Sequence, residues 1–310
     1  MSSSSLSKNN RVRGMLYGVA MGDALGIPHE FSRVSPKIKY TGIINTQHTL
    51  SVQFRFVSTT ILPGSVSDDT LMTVALLESI VANKMVYDPD KTVLYYMDFA
   101  NNVRTGMGKN TRKLFSGVKT VKGYKNRYEK LLSEISQCQS NGSLMRATPL
   151  VLLPEFVDDH ALSNPNSVNE DCNKAYFFIL KMIYKGINKQ QIKEELIGCL
   201  SSFAKTVKEA IQQSFQGGRD IGGKSKGWVV HSFYVALYVF WNFDSFQDAM
   251  DYVVQIPNSD TDTNAAIAGG LCAAYIGFEG LSKEINTNKN IEIIQSNPVI
   301  TKIDELIQLI

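Results

Sequence analysis

Ser67-Asp68-Asp69-Thr70 and Asp260-Thr261-Asp262-Thr263 are the two stretches of this chain whose side chains most plainly suit a chemical task. Each interleaves carboxylates with hydroxyls just where a helical pattern begins. Taken singly, either is explained by capping: a hydroxyl or carboxylate at the N-cap accepts from free backbone amides, and acids favour the positive end of the helix dipole. Two clusters of the same kind ask for more. Gathering their carboxylates costs several kcal/mol in repulsion and desolvation unless cations neutralise them. Hard oxygen ligands suit Mg²⁺, Mn²⁺ or Ca²⁺ rather than zinc. Two such ions a few ångströms apart share a bridging carboxylate.

Weaker signals accompany them. Gly22-Asp23-Ala24-Leu25-Gly26 closes a helical stretch with turn chemistry, and Glu30 follows. On residue type alone, Asp23 reads as a structural hydrogen-bonding group and Glu30 as a solvated loop acid. Asn141-Gly142-Ser143, ahead of Leu144-Met145-Arg146, offers free backbone N–H groups that suit an anion such as a pyrophosphate. The run Gly218 to Ser225 matches the phosphate-binding pattern G-x-x-x-x-G-K-S, but that mechanism needs a preceding β-strand, and a helical pattern precedes it here. The four histidines (His29, His48, His160, His231) have no metal-ligand spacing. His231 lies in an apolar helix and reads as a core group, whereas His29 adjoins Glu30 and is placed to line a site.

These residues must be positioned by helices. Arg11 to Leu25 has helical spacing with Gly14, Gly18 and Gly22 on one stripe, where another backbone can come close. Further helices are expected over Asp68–Asn83, capped by Ser67, and over Pro89–Ala100, Tyr128–Ile135, Cys172–Lys185, Lys189–Phe203, Thr206–Phe215, Ser245–Val254 and Pro298–Ile310. Trp228–Trp241 is apolar nearly all round and predicts a central buried helix. Asn264–Phe278 is Ala/Gly-rich and suits close packing. Arg104–Lys125 and Gly217–Gly227 read as loops, Leu144–Leu153 as an apolar segment broken by prolines. Val52, Phe54 and Phe56 alternate, as in a short strand or extended loop. No strand–helix alternation argues for a parallel sheet.

Composition bounds the remaining choices. Apolar residues make up 44% and charged residues 20% of 310, which suits a globular chain able to bury a large core without a disulfide or metal. The net charge of +3, with bases and acids interleaved, argues against a nucleic-acid partner. The four cysteines form no C-x-x-C pair and read as free thiols. The start, MSSSSLSKNN, lacks an apolar core and reads as a disordered tail over residues 1–10 rather than a signal peptide. No apolar run reaches the roughly 18 residues that span a bilayer, so no membrane partner is expected. Together these place the chain in the cytoplasm or nucleus. No linker or repeat interrupts it, so residues 11–310 are expected to be one domain.

The order GDALG…E, SDDT, NGSLMR…P, DTDTNAAIAG closely resembles the ADP-ribosylglycohydrolase family, the dinitrogenase-reductase-activating glycohydrolase and ADP-ribosylhydrolase group. The resemblance runs from Arg11 to about Gly280. It implies an all-α, compact single-domain orthogonal helix bundle around a binuclear magnesium centre, with manganese as a substitute. It implies metal ligands Ser67, Asp68 and Asp69 from one side and Asp260, Asp262 and Thr263 from the other, with Glu30 as the catalytic carboxylate. Gly106, Gly108 and Asn110, in the segment Arg104 to Arg112, match the family's glycine-containing loop near the diphosphate. Asn141, Gly142, Ser143 and Met145 match a second nucleotide-side contact. The implied substrate carries ADP-ribose on a modified protein side chain or related acceptor, and ADP-ribose is the product; the runner-up is an ADP-ribose binder without turnover. The chain departs from the family at Asn258-Ser259, where Gly-Gly is common, at Met107, where some members carry an acid, and at Ser163-Asn164, where Thr-His is usual.

Overall fold

The computed structural model describes residues 6–30, 48–52, 57–102, 106–217 and 227–310. Residues 1–5, Phe54, Phe56, Arg104 and the 218–225 phosphate-loop match lie outside them. The described residues form an all-α architecture with one small hairpin. Helix α1 spans Lys8–Gly26. An antiparallel pair follows, β1 (His48–Val52) with β2 (Val57–Ile61), in the register His48 to Ile61. Next come α2 (Asp68–Ala82), α3 (Pro89–Asn102), α4 (Lys109–Phe115) and α5 (Val121–Ile135). Short 3₁₀ turns at Asn141–Ser143, Thr148–Leu152 and Asp159–Leu162 lead to α6 (Ser167–Tyr184), α7 (Lys189–Gly198) and α8 (Lys205–Ser214). The chain closes with α9 (Val229–Asn242), α10 (Phe246–Val254), α11 (Thr261–Ile276), α12 (Phe278–Leu281), α13 (Ile285–Ile294) and α14 (Pro298–Ile307). Among the described residues no helix is long and apolar enough to cross a membrane.

The first and eleventh helices are the axis of the molecule and make its most extensive helix–helix contact. Both are buried on nearly every side, α1 almost throughout from Arg11 and α11 from Thr261 to Ala274. What lets them lie so close is the glycine stripe. A Cβ on Gly14 would stand 2.6 Å from the Ala273 carbonyl oxygen, and one on Gly22 2.5 Å from the Ala265 carbonyl carbon. The small residues Gly269, Ala265 and Ala273 answer the stripe from α11. The expected close approach of a second backbone is therefore real, and its partner is the Ala/Gly-rich helix. Arg11 reinforces the pair by donating from Nη1 to the Ala274 and Tyr275 carbonyls, 3.2 Å each, at the negative end of α11.

Around this axis the core is built from α2, α6, α9 and α10. Helix α9 is buried along nearly its whole length, as its apolar surface predicts. Leu16, Leu76, Tyr176 and Phe233 are fully or almost fully buried there, each contributing about 1.5–3 kcal/mol of transfer free energy.

Some expectations need correction. Helix α1 starts at Lys8, capped by the Ser7 hydroxyl, which accepts from the Asn10 amide at 3.2 Å; residues 8–10 are helix, not tail. The Arg104–Lys125 stretch holds all of α4 and the start of α5. There, Leu114 and Phe115 supply an apolar anchor that the surrounding lysines and glycines obscure. Helix α7 ends at Gly198, and Leu200–Ser202 is a separate 3₁₀ turn.

Candidate metal centre

The site lies where the start of α2, the start of α11 and the end of α1 converge. Ser67 caps α2: its hydroxyl accepts from the Asp69 amide at 3.2 Å and donates to Asp69 Oδ2 at 2.8 Å. Thr263, in the first turn of α11, donates its hydroxyl to the same Asp69 Oδ2 at 3.2 Å. Thus two hydroxyls from segments nearly two hundred residues apart converge on one carboxylate oxygen, while Asp69 Oδ1 is buried and accepts no hydrogen bond. Asp68 is held differently, its Oδ2 accepting from the Gly108 amide at 3.1 Å.

Asp23 enters from the last turn of α1 and is fully buried. Its Oδ2 accepts from the Ser67 amide (2.9 Å), the Thr70 amide (3.1 Å) and the Thr70 hydroxyl (2.5 Å). The structural hydrogen-bonding role read from the sequence is therefore present, and it fastens α1 to the first turn of α2. Asp23 Oδ1 has no hydrogen-bond partner.

Two triads of carboxylates result. Asp23, Asp69 and Asp262 each offer an oxygen within 4.8 Å of the other two, and so do Glu30, Asp260 and Asp262. Asp262 belongs to both. Unpartnered, buried carboxylate oxygens facing one another are costly unless protonated or neutralised by a cation. An all-oxygen donor set of this density matches a hard divalent ion. The residues therefore fit the metal pair that the acid clusters imply.

The electrostatics agree. Burial first, then the charges of Asp260, Asp68 and Asp23, push Glu30 up to about 8. Burial raises Asp23 to about 6 against the pull of its Thr70 and Ser67 donors. Asp68 rises to about 7, again mainly through burial. Asp69, Asp260 and Asp262 are also raised, with desolvation the largest cause in each.

The residues matched to nucleotide contacts divide into two groups. Gly106 is exposed, and Gly108 places its amide on Asp68. Asn110, Asn141 and Ser143, in contrast, are buried and already bonded. Asn110 donates to the Ser163 carbonyl at 3.1 Å. Asn141 donates to Asp260 Oδ2 at 2.8 Å and to the Ser232 hydroxyl at 3.1 Å. Ser143 accepts from Asn169 at 2.9 Å and from Asn173 at 3.2 Å. Met145 is buried, and its carbonyl accepts from Thr73 at 3.2 Å. Gly142 is half-buried with open space before its Cα. His29, beside Glu30, accepts at its carbonyl from Thr261 at 3.2 Å.

Sequence reasoning missed a buried anchor behind this turn. Arg146 pairs with Asp159 at 2.8 Å, both essentially unexposed, and also donates to the Gly142 carbonyl (2.7 Å) and the Ser163 hydroxyl (3.0 Å). Tyr96 donates to both Asp159 oxygens at 2.9 and 3.0 Å. The signal available was the arginine of NGSLMR, whose partner Asp159 carries no motif.

The profile of the ADP-ribosylglycohydrolase family matches residues 4–297. The chain belongs to that family. Among curated proteins, the ADP-ribosylglycohydrolase chain is 24% identical to "ADP-ribosylarginine hydrolase Tri1" of Pseudomonas putida (strain GB-1), over 89% of this chain and 73% of that protein. Among solved structures it superposes on the "ADP-ribosylglycohydrolase-related protein complex" with a TM-score of 0.73 at 19% identity, covering 98% of this chain and 99% of the other. That second likeness establishes the shared fold.

Proposed function

We propose that this ADP-ribosylglycohydrolase is a Mg²⁺-dependent enzyme, with Mn²⁺ as a substitute. It hydrolyses the glycosidic bond that joins ADP-ribose to a modified protein side chain or a related acceptor. The observation that carries the reading is Asp262, shared by two carboxylate triads at the meeting point of three helices. The name of the Pseudomonas relative makes ADP-ribosylarginine the first acceptor to try.

Ser67, Asp68, Asp69, Asp260, Asp262 and Thr263 would hold the ions. Once bound, the ions would supply positive charge that polarises sugar oxygens and acidifies water. Glu30 is the proton carrier. It belongs to the second triad, is partly exposed, and in the metal-free chain has its pKa raised by burial and then by its acidic neighbours, which favours the protonated form. A carboxyl in that state donates a proton to a departing acceptor and then, as a carboxylate, takes one from the attacking water. Gly106, Gly108 and Asn110 on one side, and Asn141, Gly142, Ser143 and Met145 on the other, frame the nucleotide. Of these, exposed Gly106 and half-buried Gly142 leave open space for a ligand.

The test is release of free ADP-ribose from a panel of ADP-ribosylated substrates, in Mg²⁺ and in chelator. Metal-dependent release is expected, and the responsive substrate names the linkage. Glu30→Gln should keep ADP-ribose binding and lose turnover, whereas Asp262→Ala should lose metal and turnover together. Undiminished release in chelator, or full activity in Glu30→Gln, overturns the respective assignment.

A further inference from the structure

We infer that Asp23 is a dual-purpose carboxylate: with Oδ2 it caps α2, and with Oδ1 it is a direct ligand of the metal site formed with Asp69 and Asp262. The inference rests on the metal-dependent reading above and adds a ligand from a third helix.

The two oxygens of Asp23 have opposite surroundings. Oδ2 is saturated by three donors, the Ser67 amide, the Thr70 amide and the Thr70 hydroxyl. Those bonds satisfy helix-start amides that would otherwise lack acceptors, and they fix the rotation of the carboxylate. With Oδ2 held, Oδ1 has a defined direction. It is buried and accepts nothing, and one carboxylate oxygen of Asp23 lies within 4.8 Å of one each from Asp69 and Asp262. Asp69 repeats the pattern: Ser67 and Thr263 saturate its Oδ2, and its buried Oδ1 is unpartnered. A cap alone explains one oxygen of each carboxylate. It gives no reason for two carboxylates, each with one bare buried oxygen, to gather in the interior beside a third. A cation does, because coordination replaces the lost hydration of all three.

Capping and ligation also share one geometry. The bonds that orient Asp23 are the bonds that orient the first turn of α2, which carries Asp68 and Asp69. Occupation of the site by metal therefore ties α1, α2 and α11 together at a single point.

The experiment uses Mn²⁺ as the probe, on the full chain, with no substrate present. Bound Mn²⁺ is counted and its affinity measured by titration with EPR detection for wild type, Asp23→Asn and Thr70→Val. Asp23→Asn keeps an acceptor oxygen for the Ser67 and Thr70 amides and turns an N–H₂ toward Asp69 and Asp262. It should weaken one Mn²⁺ by about 100-fold or more, beyond the roughly 10–100-fold that loss of a supporting partner produces. In chelator its Tm should equal or exceed that of wild type, since the new donor satisfies the bare oxygens. Thr70→Val removes part of the cap and should lower Tm while keeping both ions. Anomalous difference density from Mn²⁺-soaked wild-type crystals gives a reading that needs no variant: a peak about 2.0–2.3 Å from Asp23 Oδ1 is expected. Wild-type Mn²⁺ affinity in Asp23→Asn, or a bound ion that does not contact Asp23, overturns the inference and leaves Asp23 as a cap. These outcomes are separate from the catalytic reading, which fails instead if a chain loaded with both ions releases no ADP-ribose.

Discussion

Gly26→Ala tests whether the close approach of α1 and α11 builds the site as well as the fold. Gly26 is the last residue of α1 and faces the first turn of α11. A Cβ there would lie 2.5 Å from both the Asp262 amide nitrogen and the Thr261 carbonyl oxygen, and nearer still to Asp262 Cα. Ordinary contacts need about 3.5 Å, so the backbones must part by about 1 Å. Overpacking of that size costs about 1–3 kcal/mol or more, while alanine returns about 0.5–1 kcal/mol of helix preference. A net loss of about 1–2 kcal/mol follows. With an unfolding entropy of about 2.1 cal/mol/K per residue, the 310-residue chain should lose only about 2–3 °C in Tm. The effect on the site is larger. Asp262 moves away from Asp23 and Glu30 together, and a misplacement of about 1 Å costs about 100-fold in turnover. The predicted phenotype is a folded protein with normal helical circular dichroism, a small Tm loss, weakened Mn²⁺ binding and turnover down about 100-fold. Gly198→Ala, where a Cβ meets nothing within 4 Å, serves as the control. Full metal affinity and turnover in Gly26→Ala would refute the idea that this contact sets the position of Asp262.

Three other outcomes are expected. Burial holds Glu30, Asp68 and Asp23 at about 8, 7 and 6, so the metal-free folded chain binds protons that the unfolded chain has released. Its stability should therefore fall as pH rises from about 4 to about 8, by about 1.4 kcal/mol per pH unit per extra proton held; saturating Mg²⁺ should flatten that slope, and urea titrations with identical slopes in chelator and Mg²⁺ would contradict it. Asp159→Ala strands the Arg146 guanidinium, which is unexposed beside it, and should cost about 3–5 kcal/mol in urea unfolding; a loss under about 1 kcal/mol would show the pair to be dispensable. Gly142→Ala has open space for its Cβ, so Tm and Mn²⁺ affinity should be unchanged while KM for the ADP-ribosylated substrate rises several-fold; an unchanged KM would remove Gly142 from the nucleotide site.

Much of the site was legible because its chemistry doubles as local structure. Ser67 and Asp69 announce a helix start lined with oxygen donors, and the glycine stripe announces a close helix partner whose Ala/Gly composition is plain in Ala265 to Ala274. The hidden parts depend on distant contacts. Asp23 looks like an ordinary helix-end acid until α2 is folded against it. Asp159 has no motif and becomes important only because Arg146 must be neutralised inside the core. Helix α4 is short and highly charged, and α13 is rich in asparagine and β-branched residues; intrinsic propensity is weak in both, and tertiary packing decides. Asn141 and Ser143 matched a nucleotide contact by wording, yet their side chains bond inward to Asp260, Asn169 and Asn173, which no single-sequence pattern reveals.

The pairing of α1 with α11 also fixes when the protein can fold during synthesis. Thr261 bonds to His29 across 232 residues of chain, so at about 5–20 residues per second the first helix waits about 10–50 s for its partner. Meanwhile it cannot stand alone, for its glycines at 14, 18, 22 and 26 each cost about 0.5–1 kcal/mol of helix stability relative to alanine. A nascent chain stopped between α2 and α11 holds Asp23, Glu30, Asp68 and Asp69 but no Asp262 to join them. Metal cannot template the early stages of folding; it can only close a structure whose first and last thirds have already met.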